Sequence, residues 1–279
     1  MATFVLVHGA FYGGWAWKRV REHLRRKGHE VWTPTLTGAG ERRHLLGPAV
    51  GLGTHIDDVV NVLEYEDLRE VCLVGTSYGG MVITGAAGRA ASRVAALVYL
   101  DAHLPDARQS ANGSFAEGTT DVLRAMAGGP AAPAPGAASA PAPAPDAASA
   151  PAGPAAPPPG PARDEDWLLP PLPFAATELV RDEDIAWVAP RRVPHPLRTL
   201  SDPLPLDASE LAPPSITRTY VHCTRRAALV ALFGTDPLRP FAEKARALGY
   251  RYRELDAGHD AMITAPEEVS ALLLEAAGA

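Results

Sequence analysis

The sequence predicts an α/β fold with a mostly parallel sheet covered by helices on both faces. Three observations carry that prediction. Short, continuously apolar runs alternate with segments of helical periodicity, the alternation breaks off in mid-chain, and it resumes before the C-terminus. Residues 4–7 form an apolar, β-branched run ending at Gly9, the pattern of a buried strand. Residues 15–26 place Trp17, Val20 and Leu24 at helical spacing, and Gly28 is positioned to stop that helix. A strand over 29–33 is halted by Pro34, and a polar loop runs from Thr37 to Arg43. Thr54 is expected to cap a helix carrying Ile56, Val59, Val60 and Leu63. A strand over 71–74 leads through a glycine-bracketed turn into a small-residue helix over 79–90, and 94–100 is the next strand. Near the C-terminus the same reading gives strands over 219–223 and 250–255, with helices over 240–248 and 266–276.

The 279 residues, 47% of them hydrophobic, suit one large domain or one domain carrying an insertion. A net charge of −6 argues against a nucleic-acid partner, because phosphates demand concentrated Lys and Arg. The short basic runs Arg25-Arg26-Lys27 and Arg42-Arg43 read as solvated faces. Cys72 and Cys223 both fall in strand patterns, as buried small hydrophobes do, rather than in a disulfide framework. The first residues lack a basic region and a long apolar run, so no signal peptide is expected. No stretch approaches 18 uninterrupted apolar residues, so no membrane partner is expected either, and a cytoplasmic location follows as the default. Oligomeric state stays open, a homodimer included.

Residues 128–162 contain only Gly, Ala, Pro, Ser and Asp146, and hold 12 of the 28 prolines. Such a segment has too little side chain to offset its ordering entropy and reads as a disordered tether. The flanks have ordinary composition, with Trp167, Phe174 and Trp187 as apolar bulk. The expected organisation is a core made of 1–103 and 215–279, split by a cap over 104–214 that contains the 128–162 linker.

Gly75-Thr76-Ser77-Tyr78-Gly79 matches the G-x-S-x-G nucleophile elbow. A serine on a sharp turn between strand and helix lifts its hydroxyl above the sheet, and the flanking glycines remove side chains that would collide. The tetrahedral intermediate formed by such a serine needs two backbone N–H donors for its oxyanion. Tyr78, next after the nucleophile, can supply one. Ala10, in His8-Gly9-Ala10 after the first strand, can supply the other, with Gly13-Gly14 letting the loop pass close to a ligand. Of nine histidines, His259 follows the last strand within Asp256-Ala257-Gly258-His259-Asp260, where this architecture puts its general base. His8 reads as a brace for its loop, His23 and His29 as surface groups, and His103 and His195 as cap-region residues that read first as satisfied structural histidines and second as substrate contacts.

These runs carry a resemblance. Phe4-Val5-Leu6-Val7-His8-Gly9-Ala10, Gly13-Gly14-Trp15-Ala16-Trp17, Gly75-Thr76-Ser77-Tyr78-Gly79-Gly80-Met81, Val98-Tyr99-Leu100-Asp101-Ala102 and Gly258-His259-Asp260-Ala261-Met262 resemble the plant methylesterase and hydroxynitrile lyase branch of the α/β-hydrolases. Bacterial esterases of that branch are similar also in Pro34-Thr35-Leu36-Thr37-Gly38 and Gly40-Glu41-Arg42-Arg43. The resemblance covers roughly residues 3–108 and 164–275. It implies an α/β-hydrolase fold with a six-stranded parallel core sheet, a small lid, no metal or other cofactor, and hydrolysis of small carboxylic esters.

One departure matters. In the plant enzymes the acid of the triad follows the strand equivalent to 219–223, where this chain reads Thr224-Arg225-Arg226. A buried histidine still needs an acceptor to fix its tautomer. Asp101, ending the 94–100 strand, is the first candidate; Asp236 is the second and Asp256 the third. Trp15, Trp167 and Trp187, with Phe174, are candidates to line an apolar substrate pocket, or else to pack the cap. Two rivals to an esterase remain. A cyanohydrin lyase is disfavoured, because the plant lyases carry threonine in place of Gly9 and lysine in place of Asp260. A non-catalytic binding protein is favoured only by the missing acid after the 219–223 strand.

Overall fold

A computed structural model describes residues 1–114, 119–126 and 167–279. The tether expected over 128–162 lies outside the described residues. In chain order the strands are β1 (Thr3–Val7), β2 (Glu30–Trp32), β3 (Val71–Ser77), β4 (Val94–Ala102), β5 (Leu168–Leu169), β6 (His195–Pro196), β7 (Thr217–Cys223) and β8 (Arg251–Leu255). Six of them form one sheet in the order β2-β1-β3-β4-β7-β8, with every neighbour pair parallel. The α/β-hydrolase expectation of a six-stranded parallel sheet holds. β5 and β6 make a separate two-stranded antiparallel ribbon.

The apolar runs become the central strands because a parallel sheet covered on both faces buries both side-chain rows. Phe4, Val5, Leu6 and Val7 of β1 and Val71, Leu73 and Val74 of β3 are all fully buried. Helices α1 (Lys18–Arg26), α2 (Leu52–Tyr65) and α3 (Gly79–Arg89) belong to the first half. The cap region carries α4 (Thr119–Met126), α5 (Asp182–Val188) and α6 (Leu197–Ser201). The second half carries α7 (Ala227–Phe233), α8 (Arg239–Ala247), α9 (Ala261–Thr264) and α10 (Pro266–Ala277). α1 packs with α10, and α2 with α3. Among the described residues, no helix is long and apolar enough to cross a membrane.

α1 ends as its sequence predicts: Gly28 adopts φ +85°, and the amides of Gly28 and His29 close on the carbonyls of Arg25 and Leu24. The start of α2 differs from expectation. Gly51 is the capping residue and the helix begins at Leu52, two residues before Thr54. Thr54 sits at the third helical position and its Oγ1 accepts the Gly51 amide at 3.4 Å. An extended glycine can take the capping position while the hydroxyl reaches back from one turn in.

What positions the site is strand direction. Since all six strands run parallel, the C-terminal ends of β1, β3, β4, β7 and β8 open on one edge of the sheet, where ligands of open α/β sheets bind. Gly9 and Ala10 follow β1, Ser77 ends β3, Asp101 lies at the end of β4, Arg226 follows β7 and His259 follows β8.

Candidate active site

Ser77 is held in the left-handed region at φ +53°, a costly backbone for a non-glycine residue. The turn is possible because its neighbours lack side chains. A Cβ on Gly75 would stand 2.6 Å from the Gly79 carbonyl oxygen, and one on Gly9 would stand 2.9 Å from the Ser77 Cβ. The Ser77 carbonyl accepts the His103 amide at 3.0 Å, tying the elbow to the end of β4.

Two buried histidines brace the loops around the serine. The Leu36 amide donates to His8 Nε2 at 3.0 Å, so the proton of His8 sits on Nδ1, which donates to the Gly9 carbonyl at 2.7 Å. Burial lowers the His8 pKa to about 4, against the pull of its bond to Gly9. His8 therefore braces its loop, as its sequence position suggested. On the other flank the Thr37 carbonyl can only accept, so His55 Nε2 donates to it at 2.9 Å and His55 Nδ1 accepts the Tyr78 hydroxyl at 2.9 Å. The side chain of Tyr78 is thereby anchored beneath the elbow. No motif in the sequence marks His55 for this task, since the pairing spans 23 residues and two elements.

Asp101 is fully buried and also has positive φ, at +48°. Its Oδ2 lies 2.6 Å from His259 Nδ1. That contact fixes His259 with Nδ1–H toward the carboxylate and leaves Nε2 as its basic nitrogen. Arg226 grips the same carboxylate with both terminal nitrogens, Nη1 on Oδ2 at 2.7 Å and Nη2 on Oδ1. Burial alone would raise the Asp101 pKa; Arg226 and His259 outweigh it and hold it at about 2. Of the other carboxylates weighed from sequence, Asp236 lies 3.2 Å from Arg226 Nε. Asp256 is exposed and paired with Arg225 at 3.0 Å. Sequence reasoning missed Asp260 as a structural member: it is buried, and it accepts the Tyr12 hydroxyl at 2.7 Å, joining the histidine loop to the loop after β1.

Ser77, His259, Ala10 and Tyr78 line a single cavity of about 60 Å³, with His103 beside them. Its other walls are apolar, including Leu169 and Leu200 from the cap and Leu229 and Phe233 from α7. Burial and the neighbouring His259 lower the His103 pKa to about 3. The aromatic residues weighed from the sequence stand elsewhere. None of Trp15, Trp167 and Trp187, nor Phe174, lines this cavity. Trp15 packs edge-on against Trp187 with ring centroids 5.3 Å apart and borders a separate surface groove with Glu41 and Arg43. Trp167 sits at the start of β5, where its carbonyl accepts the Leu197 amide at 2.8 Å. Branched aliphatic side chains fill the inner face of the cap, and the indoles stay on its flank.

Comparison with known proteins adds three kinds of likeness. A sequence model of the alpha/beta hydrolase family matches residues 4–272. The carbendazim hydrolyzing esterase of Nocardioides sp. (strain SG-4G) is 57% identical over 106 residues, 38% of this chain and 44% of that protein. Two Arabidopsis thaliana proteins are more distant: alpha-hydroxynitrile lyase, 33% identical over 37% of this chain and 40% of that protein, and methylesterase 4, 34% identical over 38% and 41%. The chain thus spans less than half the length of the curated relatives it matches. An extracellular alpha/beta-hydrolase from a Paenibacillus species overlays with a TM-score of 0.70 at 18% identity, covering 99% of each chain, a likeness of fold.

Proposed function

Because the chain belongs to the alpha/beta hydrolase family, we propose that it hydrolyses small carboxylic esters through an acyl-enzyme, with Ser77, His259 and Asp101 as its triad. The observation that carries the reading is convergence: Ser77 and His259 border one cavity, and Asp101 meets the far nitrogen of the same imidazole at 2.6 Å.

In this reading His259 Nε2 takes the Ser77 proton as Oγ bonds to the ester carbonyl carbon. The displaced π pair collects on the carbonyl oxygen, which the Ala10 and Tyr78 amides stabilise. As the carbonyl reforms, the bond to the alkoxy oxygen breaks and the imidazolium protonates the leaving alcohol. Water then repeats both steps, releases the carboxylic acid and restores Ser77. Asp101 keeps its negative charge throughout and balances the imidazolium. The partner is a small-molecule ester. Methyl esters head the candidates, on the name of the methylesterase relative and the apolar lining of the cavity. Cyanohydrin cleavage is the weaker alternative, since a side chain at position 9 would press on Ser77 and buried Asp260 offers no cation for cyanide.

A fluorophosphonate probe with a panel of methyl and p-nitrophenyl esters tests the reading. Wild type should be labelled at Ser77 and turn over p-nitrophenyl acetate, and Ser77→Ala should lose labelling and at least about 10⁴-fold of kcat. An unlabelled Ser77 overturns the proposal, and labelling without turnover of any ester would indicate a binding protein that kept the fold.

A further inference from the structure

The place that lacks a carboxylate, after β7, holds Arg226, and its side chain is only 11% exposed. It spans two carboxylates: its terminal nitrogens fork onto Asp101 and its Nε faces Asp236 at 3.2 Å. Asp236 is itself fixed, its Oδ1 accepting the Leu238 amide at 3.0 Å just before α8. We propose that Arg226, backed by Asp236, is a positioning residue for the triad's acid: it orients Asp101 toward His259 and offsets part of the negative charge that Asp101 presents to the imidazole. The inference rests on the triad reading above and extends it to two residues beyond the triad.

Geometry and electrostatics both support this role. A planar guanidinium gripping a carboxylate through two N–H bonds fixes the plane of that carboxylate, which a lysine cannot do. Asp101 has one other donor, the Cys223 amide at 3.3 Å, so without Arg226 its orientation toward Nδ1 would rest on that contact alone. The charge matters as much as the fork. A buried Asp101 facing His259 alone would favour the imidazolium strongly and draw the proton onto the base before substrate arrives. A guanidinium on the same carboxylate removes much of that pull. Asp236 moderates it in turn, by drawing part of the cation's field away from Asp101.

Other titratable and charged groups face the same region: Arg192 lines the space beside Ser77, His259 and Asp260, and Arg225, bonded through its amide to the Ala257 carbonyl, turns its side chain to Asp256 at 3.0 Å. From β7, His222 stands 3.8 Å from Asp101 and is held below its usual value by burial and then by Arg226. Tyr220 and Cys223 are pushed upward by burial and by Asp101, and so stay neutral. Across from His259, burial keeps His103 neutral at ordinary pH. On β8, Tyr252 is raised by burial, while Glu254 reaches outward to Arg246 at 2.6 Å. Asp260, next in sequence to His259, is the one further buried carboxylate among the described residues of this region, and it is engaged by Tyr12.

The test is the pH dependence of kcat/KM for p-nitrophenyl acetate, whose acid limb reports the free enzyme's base. Arg226→Gln removes the cation and should move that limb upward by about one pH unit or more. Asp236→Asn strengthens the cation and should move it downward by a smaller amount. Arg226→Lys keeps the charge and loses the fork, so its limb should stay while kcat falls about tenfold or more. A purely structural role for Arg226 would lower activity at every pH alike, so an Arg226→Gln limb within about 0.3 unit of wild type overturns the inference. Should Arg226→Gln fail to fold, Asp236→Asn decides: a downward shift supports the inference, and an unmoved or upward limb overturns it. Asp101→Asn separates the two levels. If that variant keeps full activity, the triad reading itself falls; if it is crippled while the limbs stay put, only the inference does.

Discussion

The carboxyl edge of the sheet and the cap that faces it are built on different terms. At the edge each functional group stands at or just after the C-terminal end of a parallel strand, and hydrogen bonds to neighbouring loops hold it there. Ser77 and Asp101 both occupy the left-handed region, and His8 ties the loop after β1 to the loop after β2. In the cap, short helices and a two-residue ribbon carry the lining leucines, and what they present to the cavity is shape alone. On the proposed mechanism the edge would set whether a reaction happens, and the cap would set on what. Variants on the two sides should separate accordingly.

The sharpest break of that comparison is at Asp101. Asp101→Asn should lower kcat by about 10⁴, since an amide in that place sets the wrong histidine tautomer. Its folding and its binding of an ester analogue should stay near wild type. Asp236→Asn should retain most of its activity at pH 8. Steady-state kinetics on both variants decides the matter, and the reverse ranking would move the acid to Asp236 and undo the assignment of roles along the sheet edge.

His8 gives the next effect, and it is one of stability. Its two bonds require a protonated Nδ1 and a bare Nε2, because a proton on Nε2 would face the Leu36 N–H. Folded His8 takes up that proton only near pH 4, the unfolded chain near 6.5. Below 6.5 the unfolded chain binds more protons, so stability falls as the pH drops toward 4 and then levels off. The loss from this one group should be on the order of 3 kcal/mol. Thermal unfolding between pH 7 and pH 4 should show a falling Tm in wild type and a shallower fall in His8→Asn. Equal slopes would show that the loop tolerates the charge.

How much of this could be read from the sequence follows from the range of each contact. Ser77 was legible because an elbow is local: five residues, an apolar strand before and a small-residue helix after. His259 was legible through chain order. Asp101 could be ranked first only by asking which strand ends lie near the histidine loop, since its partner is 158 residues away. Arg226 was legible merely as a missing acid. Its grip on Asp101 crosses from β7 to β4 and leaves no mark on local periodicity. The cap tryptophans stayed open between two roles for a plainer reason: bulk and hydrophobicity do not say which way a side chain faces, and Trp15 and Trp187 pack edge-on against each other.

The two possible roles of the cap residues supply the finest test of the division between edge and cap. The cavity beside Ser77 is walled mostly by apolar side chains. Leu200, a buried cap residue on α6, is one of its walls. Leu200→Ala should raise kcat/KM for p-nitrophenyl butyrate relative to the acetate by about tenfold, the discrimination expected of one or two methylenes in an apolar pocket. Turnover of the acetate should change little, because no group at the sheet edge has moved. Trp15→Ala, which empties space on the flank of the cap, should leave the ratio of the two esters where it was. A Leu200→Ala variant that lost both esters equally would mean that the cap orients the catalytic groups as well as shaping the chamber, and a Trp15→Ala variant that shifted the ratio would place the ester on the tryptophan side.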